Sequence, residues 1–287
     1  MPNPIAFEIL GMQIRWYGIC VAGGFLLAYL YLQWRSKKVS ISPDAVADLA
    51  FWAMIGGITG ARIFFVMLNW SFYSQNLGRI FAIHEGGLVF YGGFIGATGA
   101  VIWSLHRHKL PLWRVADLFA VAVPLGQILG RFGCFFNGCC YGRPSESGVI
   151  YPSVIMDAEG QMVMDLMGGP MRSGIYSTQV ALGHIQVGAE HCAAVLPSQV
   201  FLSAVNVCIV IVALLVARKE RRPGILFGIF LIGNGAGRFI VEFTRGDYLT
   251  HYFGLTVSQL ICIVGLGVGI WILRTSQKRA PFELETP

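Results

Sequence analysis

Charge is what this 287-residue sequence has least of: Asp, Glu, Lys and Arg together make up 13%, about half the share of an ordinary soluble domain. With 55% hydrophobic residues and a mean hydropathy of +0.63, a soluble fold is excluded and a polytopic membrane protein is indicated. The opening Met1-Pro-Asn-Pro-Ile-Ala-Phe-Glu8 lacks the charged n-region and small-residue cleavage site of a signal peptide, so the first apolar segment reads as a retained span. No internal repeat or low-complexity tract is evident, which argues against a transporter built on repeats. An intramembrane protease would need an embedded nucleophilic Ser with His, or paired aspartates, and the only candidates, Asp48 and Asp117, lie near the predicted cytoplasmic ends. Cys134-x4-Cys139-Cys140, with His184, His191 and Cys192, matches no regular zinc-ligand spacing. Neither a metal nor a cofactor is expected.

Apolar stretches long enough to cross about 30 Å of hydrocarbon fall at 14–34, 46–68, 88–105, 112–133, 198–217, 224–243 and 255–273. All five lysines, Lys37, Lys38, Lys109, Lys219 and Lys278, follow the first, third, fifth or seventh stretch. Arg35, Arg107, Arg114, Arg218, Arg221, Arg222, Arg274 and Arg279 fall in the same places. Positive charge collects on the cytoplasmic side. The expected fold is therefore an all-α membrane protein of seven transmembrane helices, N-terminus outside and C-terminus inside. The net charge of +6 is this bias together with a basic anchor on anionic membrane lipid, and it calls for no nucleic acid. The stretch 141–196 is long, outer and rich in Gly, Ser and Pro. Alternation in Gly174-Ile-Tyr-Ser-Thr-Gln-Val-Ala181 and His184-Ile-Gln-Val187 suggests short strands there. The chain thus reads as one polytopic domain, 1–287, with a small extracytoplasmic head inserted at 141–196. Of the seven cysteines, Cys134, Cys139, Cys140 and Cys192 fall on the outer side, where a disulfide of unreadable pairing is open.

Arg131 and Arg238 each sit inside an apolar stretch. A permanent charge at membrane depth costs several kcal/mol and needs an anionic partner. The guanidinium fork matches phosphate bidentately, so a phospholipid headgroup leads; the alternative is an internal ion pair. Glu242, four residues after Arg238, shares its helical face and could pair with it, whereas Arg131 has no acid among its near neighbours. Arg62 lies in Gly60-Ala-Arg62, where a structural ion pair and a place in the site are both open. The outer ends of four spans carry Arg62, Glu85 to Gly93, Arg131 to Arg143 and Arg238 to Arg245, as one site would.

Arg15-Trp-Tyr-Gly18, Gly60-Ala-Arg62, Gly86-Gly-Leu-Val-Phe-Tyr-Gly-Gly93, Gly130-Arg-Phe-Gly-Cys-Phe-Phe-Asn-Gly138, Pro197-Ser-Gln199 and Gly237-Arg-Phe-Ile-Val-Glu-Phe-Thr-Arg245 run in order along nearly the whole chain and resemble the prolipoprotein diacylglyceryl transferase family. The resemblance implies a multi-pass enzyme of the bacterial inner membrane. Such an enzyme moves diacylglyceryl from phosphatidylglycerol to the lipobox cysteine thiol in the signal peptide of a prolipoprotein, the first step of lipoprotein maturation. It implies Arg131 and Arg238 as catalytic arginines, with Arg131 also binding the phospholipid. Tyr17, Arg62, Asn137, Glu242 and Arg245 become substrate-binding cavity residues. Tyr91, the third catalytic candidate, stands where many members have His, and a phenol with pKa near 10 is a poor base at neutral pH. Cys134, Cys139 and Leu202 stand where the family pattern has Asn, an acidic residue and Glu. A membrane lipid-binding protein that keeps the phosphate site without transfer chemistry is the alternative reading.

Overall fold

The computed structural model describes residues 2–9, 12–82, 87–157, 160–164, 169–219, 222–246 and 254–281. Glu85, placed at the candidate site, and Arg221, counted among the cytoplasmic arginines, lie outside the described residues. The chain forms two compact units, Met1–Ala28 with Ala116–Phe282 and Tyr29–Val115 with Glu283–Pro287.

The elements run β1 (Ile5–Ile9), β2 (Met12–Arg15), α1 (Trp16–Ser36), α2 (Pro43–Leu68), α3 (Trp70–Tyr73), α4 (Phe90–Arg107), α5 (Leu112–Asn137), β3 (Pro144–Val149), α6 (Gly174–Ala181), α7 (Ser198–Val216), α8 (Ile225–Glu242) and α9 (Val257–Ser276). Among the described residues, six helical segments are long and apolar enough to cross a membrane: Trp16–Val39, Pro43–Leu68, Leu112–Asn137, Ser198–Val216, Ile225–Glu242 and Val257–Ser276. The stretch expected as the third span forms the helix α4. It falls outside that six because Gly92, Gly93, Gly96 and Gly99, and the closing His106 and Arg107, dilute its apolar character.

In the first unit β1 and β2 pair antiparallel, Phe7 with Ile14 and Ile9 with Met12. This hairpin was not expected in a chain read as all-α. Behind it α1 lies against α5, where a Cβ on Gly24 would come 2.6 Å from the Gly126 carbonyl oxygen. Only the missing side chain allows that approach, the usual device for helix packing in lipid. Ser203 donates to the Ile128 carbonyl at 3.0 Å, tying α7 to α5, and Asn234 donates to Gln127 at 3.4 Å, tying α8 to α5. Asp117 accepts from the backbone of Gly224 at 2.7 Å and of Phe227 at 2.9 Å, satisfying N–H groups that the first turn of α8 leaves without a helical partner.

Between α5 and α7 the chain builds a small body around buried Tyr141, Tyr151, Ile175, Tyr176, Cys192 and Val195. The strand expected at 174–181 is the helix α6, and 184–187 forms no strand. The alternation misleads because Ser173 caps the helix, its hydroxyl accepting from Tyr176 N at 3.4 Å. Fully buried Gln179 then clasps Ala193 through both its amide atoms, at 3.0 and 2.8 Å, so a polar residue faces inward.

In the second unit α2 and α4 cross where glycines meet: a Cβ on Gly56 would stand 2.6 Å from the Gly96 oxygen and 2.7 Å from Ala100 Cβ. Toward the other end of this pair Asp48 accepts from Trp52 at 3.1 Å and Ser104 at 3.2 Å, with the His108 ring nitrogen at 2.7 Å. Asp48 and Asp117 are both engaged in holding helices together.

Candidate functional site

The last turns of α5 carry Arg131, Cys134 and Asn137, and the way this helix stops decides where the next residues fold. Gly138 takes a left-handed φ of +68°, its N–H reaches Phe135 O at 3.3 Å, and Cys139 N–H reaches Cys134 O at 3.2 Å. This is the Schellman pattern, which brings the residue after the glycine onto the helix residue five before it. Here those residues are Cys139 and Cys134. Cys140, itself at φ +59°, folds in beside them, so that the three sulfurs lie within 4.8 Å of one another. The buried Gln199 side chain holds the turn by donating to the Cys139 carbonyl at 2.8 Å. Downstream, Arg143 N donates to Thr244 O at 2.7 Å and Gly142 pairs antiparallel with Arg245, locking the turn to the end of α8.

Two guanidiniums reach this cluster electrostatically, Arg245 and Arg131. Hydrogen bonds from Cys134 and Cys139 hold the Cys140 thiol well below the usual range, and the two arginines add to the effect. Cys139 is correspondingly pushed up, by its bonding to Cys134 and Cys140 and by burial. Tyr17, on the first turn of α1, lies in the field of Arg131 and of the same cysteines. Beside the cluster opens a cavity of about 500 Å³ lined by Asn137, Cys139, Cys140, Arg15, Tyr151 and Arg172 among others. Burial raises the Tyr151 phenol. All seven cysteines are free thiols, so the disulfide left open by the sequence is not formed.

Tyr17, Arg131, Asn137 and Arg245 thus gather around the end of α5. Arg238 and Glu242 turn to α9 and do not pair with each other as their spacing suggested. Arg238 Nε donates to Ser258 Oγ at 2.8 Å, and buried Glu242 accepts from Thr256 Oγ1 at 3.0 Å. Thr256 also caps α9 with Gln259 in a reciprocal box, which fixes its hydroxyl as the nearer partner for the carboxylate. In the second unit Arg62 is buried and donates to the carbonyls of Ile80 at 2.8 Å, Arg79 at 2.6 Å and Gly87 at 3.2 Å. Its guanidinium also lies 5.3 Å from the Tyr73 ring. Tyr91, on the first turn of α4, is 51% exposed and packs edge-on against Phe90.

Residues 4–275 match the family model for prolipoprotein diacylglyceryl transferase. A phosphatidylglycerol–prolipoprotein diacylglyceryl transferase of Streptococcus pneumoniae is 33% identical over 287 residues, covering 98% of this chain and 97% of its own. One of the same name from Synechococcus elongatus is 30% identical over 275 residues, covering 94% and 86%. The chain belongs to the prolipoprotein diacylglyceryl transferase family.

Within this transferase family, the departures seen in the sequence acquire positions. Cys134 and Cys139 are two corners of the sulfur triangle. Leu202, where the pattern carries Glu, is a buried core residue of α7. Sequence reasoning weighed Cys134, Cys139 and Cys140 for zinc and set them aside on their spacing, and it passed over Gln199 beneath them and Ser258 and Thr256 at the start of α9. The trio had a readable signal: a helix ending at a glycine, with a cysteine just after the glycine and another three residues before the helix's last residue, is the contact pair of a Schellman turn. Ser258 and Thr256 had none, since their partners lie on another helix.

Proposed function

We propose that this protein transfers the diacylglyceryl group of phosphatidylglycerol to the lipobox cysteine thiol of prolipoproteins. It does so as a seven-span enzyme of the bacterial inner membrane, N-terminus outside, with 141–196 as an extracytoplasmic head. The names of the two relatives support the substrates. The observation that carries the site is Arg131: among the described residues no carboxylate or hydrogen-bond partner holds it, yet it lies within an apolar helix. A lipid phosphate meets that need, since a fork of fixed N–H donors matches two phosphate oxygens.

As the glycerol carbon passes to sulfur, the C–O bond to phosphate breaks and its electron pair leaves on the phosphate oxygen. Guanidiniums fixed in a water-poor site stabilise that growing charge without reorganising. Arg131 binds the phosphate, and Arg238, oriented by Ser258, supplies the second positive charge. Glu242, Arg245, Asn137 and Tyr17 are the further residues of the first unit that contact substrate. The test is a reaction of purified protein with phosphatidylglycerol and a lipobox peptide, read by product mass. Arg131→Ala should lower turnover by roughly 100- to 1,000-fold, the usual cost of one charge-stabilising donor. Arg131→Lys should rescue poorly, because a point charge does not reproduce the fork. Near-normal turnover in Arg131→Ala removes it from the mechanism.

A further inference from the structure

Three cysteine sulfurs within 4.8 Å of one another are closer to a ligand set than to chance packing. A tetrahedral ion with Zn–S bonds of about 2.3 Å holds its sulfurs about 3.8 Å apart, so the triangle needs to contract by no more than about 1 Å. The backbone that carries it is rigid, being fixed by the Schellman bonds of α5, the Gln199 clasp and the pairing of Gly142 with Arg245. Among the described residues no fourth His, Cys, Asp or Glu joins the group. An all-thiolate set selects soft ions, and three protein ligands with one position open is the arrangement of catalytic zinc. Charge fits as well. Three thiolates on a dication leave a net negative cluster, and Arg245 and Arg131 both act on its Cys140 corner.

We propose that Cys134, Cys139 and Cys140 hold one zinc ion whose fourth position takes the cysteine thiolate of the acceptor peptide. The inference rests on the transferase reading and deepens it, because Tyr91, standing where many members of the family have His, is a poor base for ionising the acceptor. Coordination does that work: a thiol bound to zinc gives up its proton outright to solvent. The cavity beside Cys139 and Cys140 is the approach for the peptide. In the transfer the bound sulfur's lone pair forms the new C–S bond while the C–O bond to phosphate breaks, its electron pair leaving on phosphate. The thioether, now uncharged and a weaker ligand, dissociates. No electron is gained or lost by the metal. Arg131, holding the lipid phosphate beside the cluster, would set the two reacting centres together.

The test uses the whole reduced, metal-stripped protein in detergent, titrated with Co(II) as a spectroscopic stand-in and with Zn(II) itself. One cobalt per chain, a thiolate-to-cobalt band displaced by zinc, and a further rise of that band with a lipobox peptide but not with its serine counterpart are expected. Cys134→Ser, Cys139→Ser and Cys140→Ser should each weaken binding by more than the roughly 10- to 100-fold that outer-shell changes cost, while Cys208→Ser should not. The unaltered protein and the two peptides carry the test even where a variant fails to fold. Absence of the band, binding of Cu(I) but not Zn(II), a chain lighter by two hydrogens from a disulfide, or a band indifferent to the peptide overturns the proposal. Full turnover by metal-free protein leaves the transferase standing and removes the zinc. A peptide-responsive cobalt band without product from the zinc-loaded enzyme does the reverse.

Discussion

Arg62→Ala would take the donor away from three carbonyls at once, those of Ile80, Arg79 and Gly87 at 2.8, 2.6 and 3.2 Å. These oxygens belong to the connection between α2 and α4, so Arg62 works as a brace from inside α2 onto the loop. A hydrogen bond from a charged donor contributes about 1.5–3 kcal/mol, and three of them would sum to more than about 4 kcal/mol if the site stayed dry. Water entering the loosened loop replaces part of that, which leaves about 2–4 kcal/mol. For a chain of this size that is a fall in Tm of roughly 5–10 °C. Arg62→Lys, with a compact ammonium that cannot span three oxygens, should recover less than half. The assay is thermal unfolding in detergent by intrinsic fluorescence, together with limited proteolysis of the 77–89 connection, which should be cut faster in both variants. If Arg62→Ala melts within about 2 °C of the parent and resists cleavage equally while its KM for phosphatidylglycerol rises, Arg62 contacts lipid and the brace is wrong.

Gly56→Ala should force α2 from α4, because its Cβ would lie 2.6 Å from Gly96 O, at a cost of about 1–3 kcal/mol. Gly99→Ala on α4, with nothing within 4 Å of its Cβ, should be neutral or more stable by up to about 1 kcal/mol; equal melting of the two variants refutes the close crossing. Asp117→Ala strands the buried N–H of Gly224 and of Phe227 and should cost about 1–3 kcal/mol. Asp117→Asn, which keeps an acceptor, should lose less, and hydrogen exchange at the start of α8 reads the difference. Tyr91→Phe should keep much of the transfer rate and Tyr91→Ala less. Should Tyr91→Phe be as inactive as Arg131→Ala while binding phosphatidylglycerol normally, the phenol takes part in the chemistry.

Hydropathy and charge are local properties of a chain in contact with lipid, and they were enough to locate the helices of this membrane protein to within a few residues. The ordered motifs around Arg131 and Arg238 were likewise enough to point to its family. What depends on a competition between partners was not legible. Arg238 and Glu242 stand four apart, yet each goes to α9, because Ser258 and a capping threonine are nearer than either is to the other. Residues 174–181 alternate like a strand, but the Ser173 cap and the pull of Ala193 on Gln179 make them helical. Cys134, Cys139 and Cys140 have no ligand spacing along the sequence. A left-handed turn at Gly138 and a second at Cys140 reverse the chain so tightly that distance along it ceases to measure distance in space, and three thiols meet.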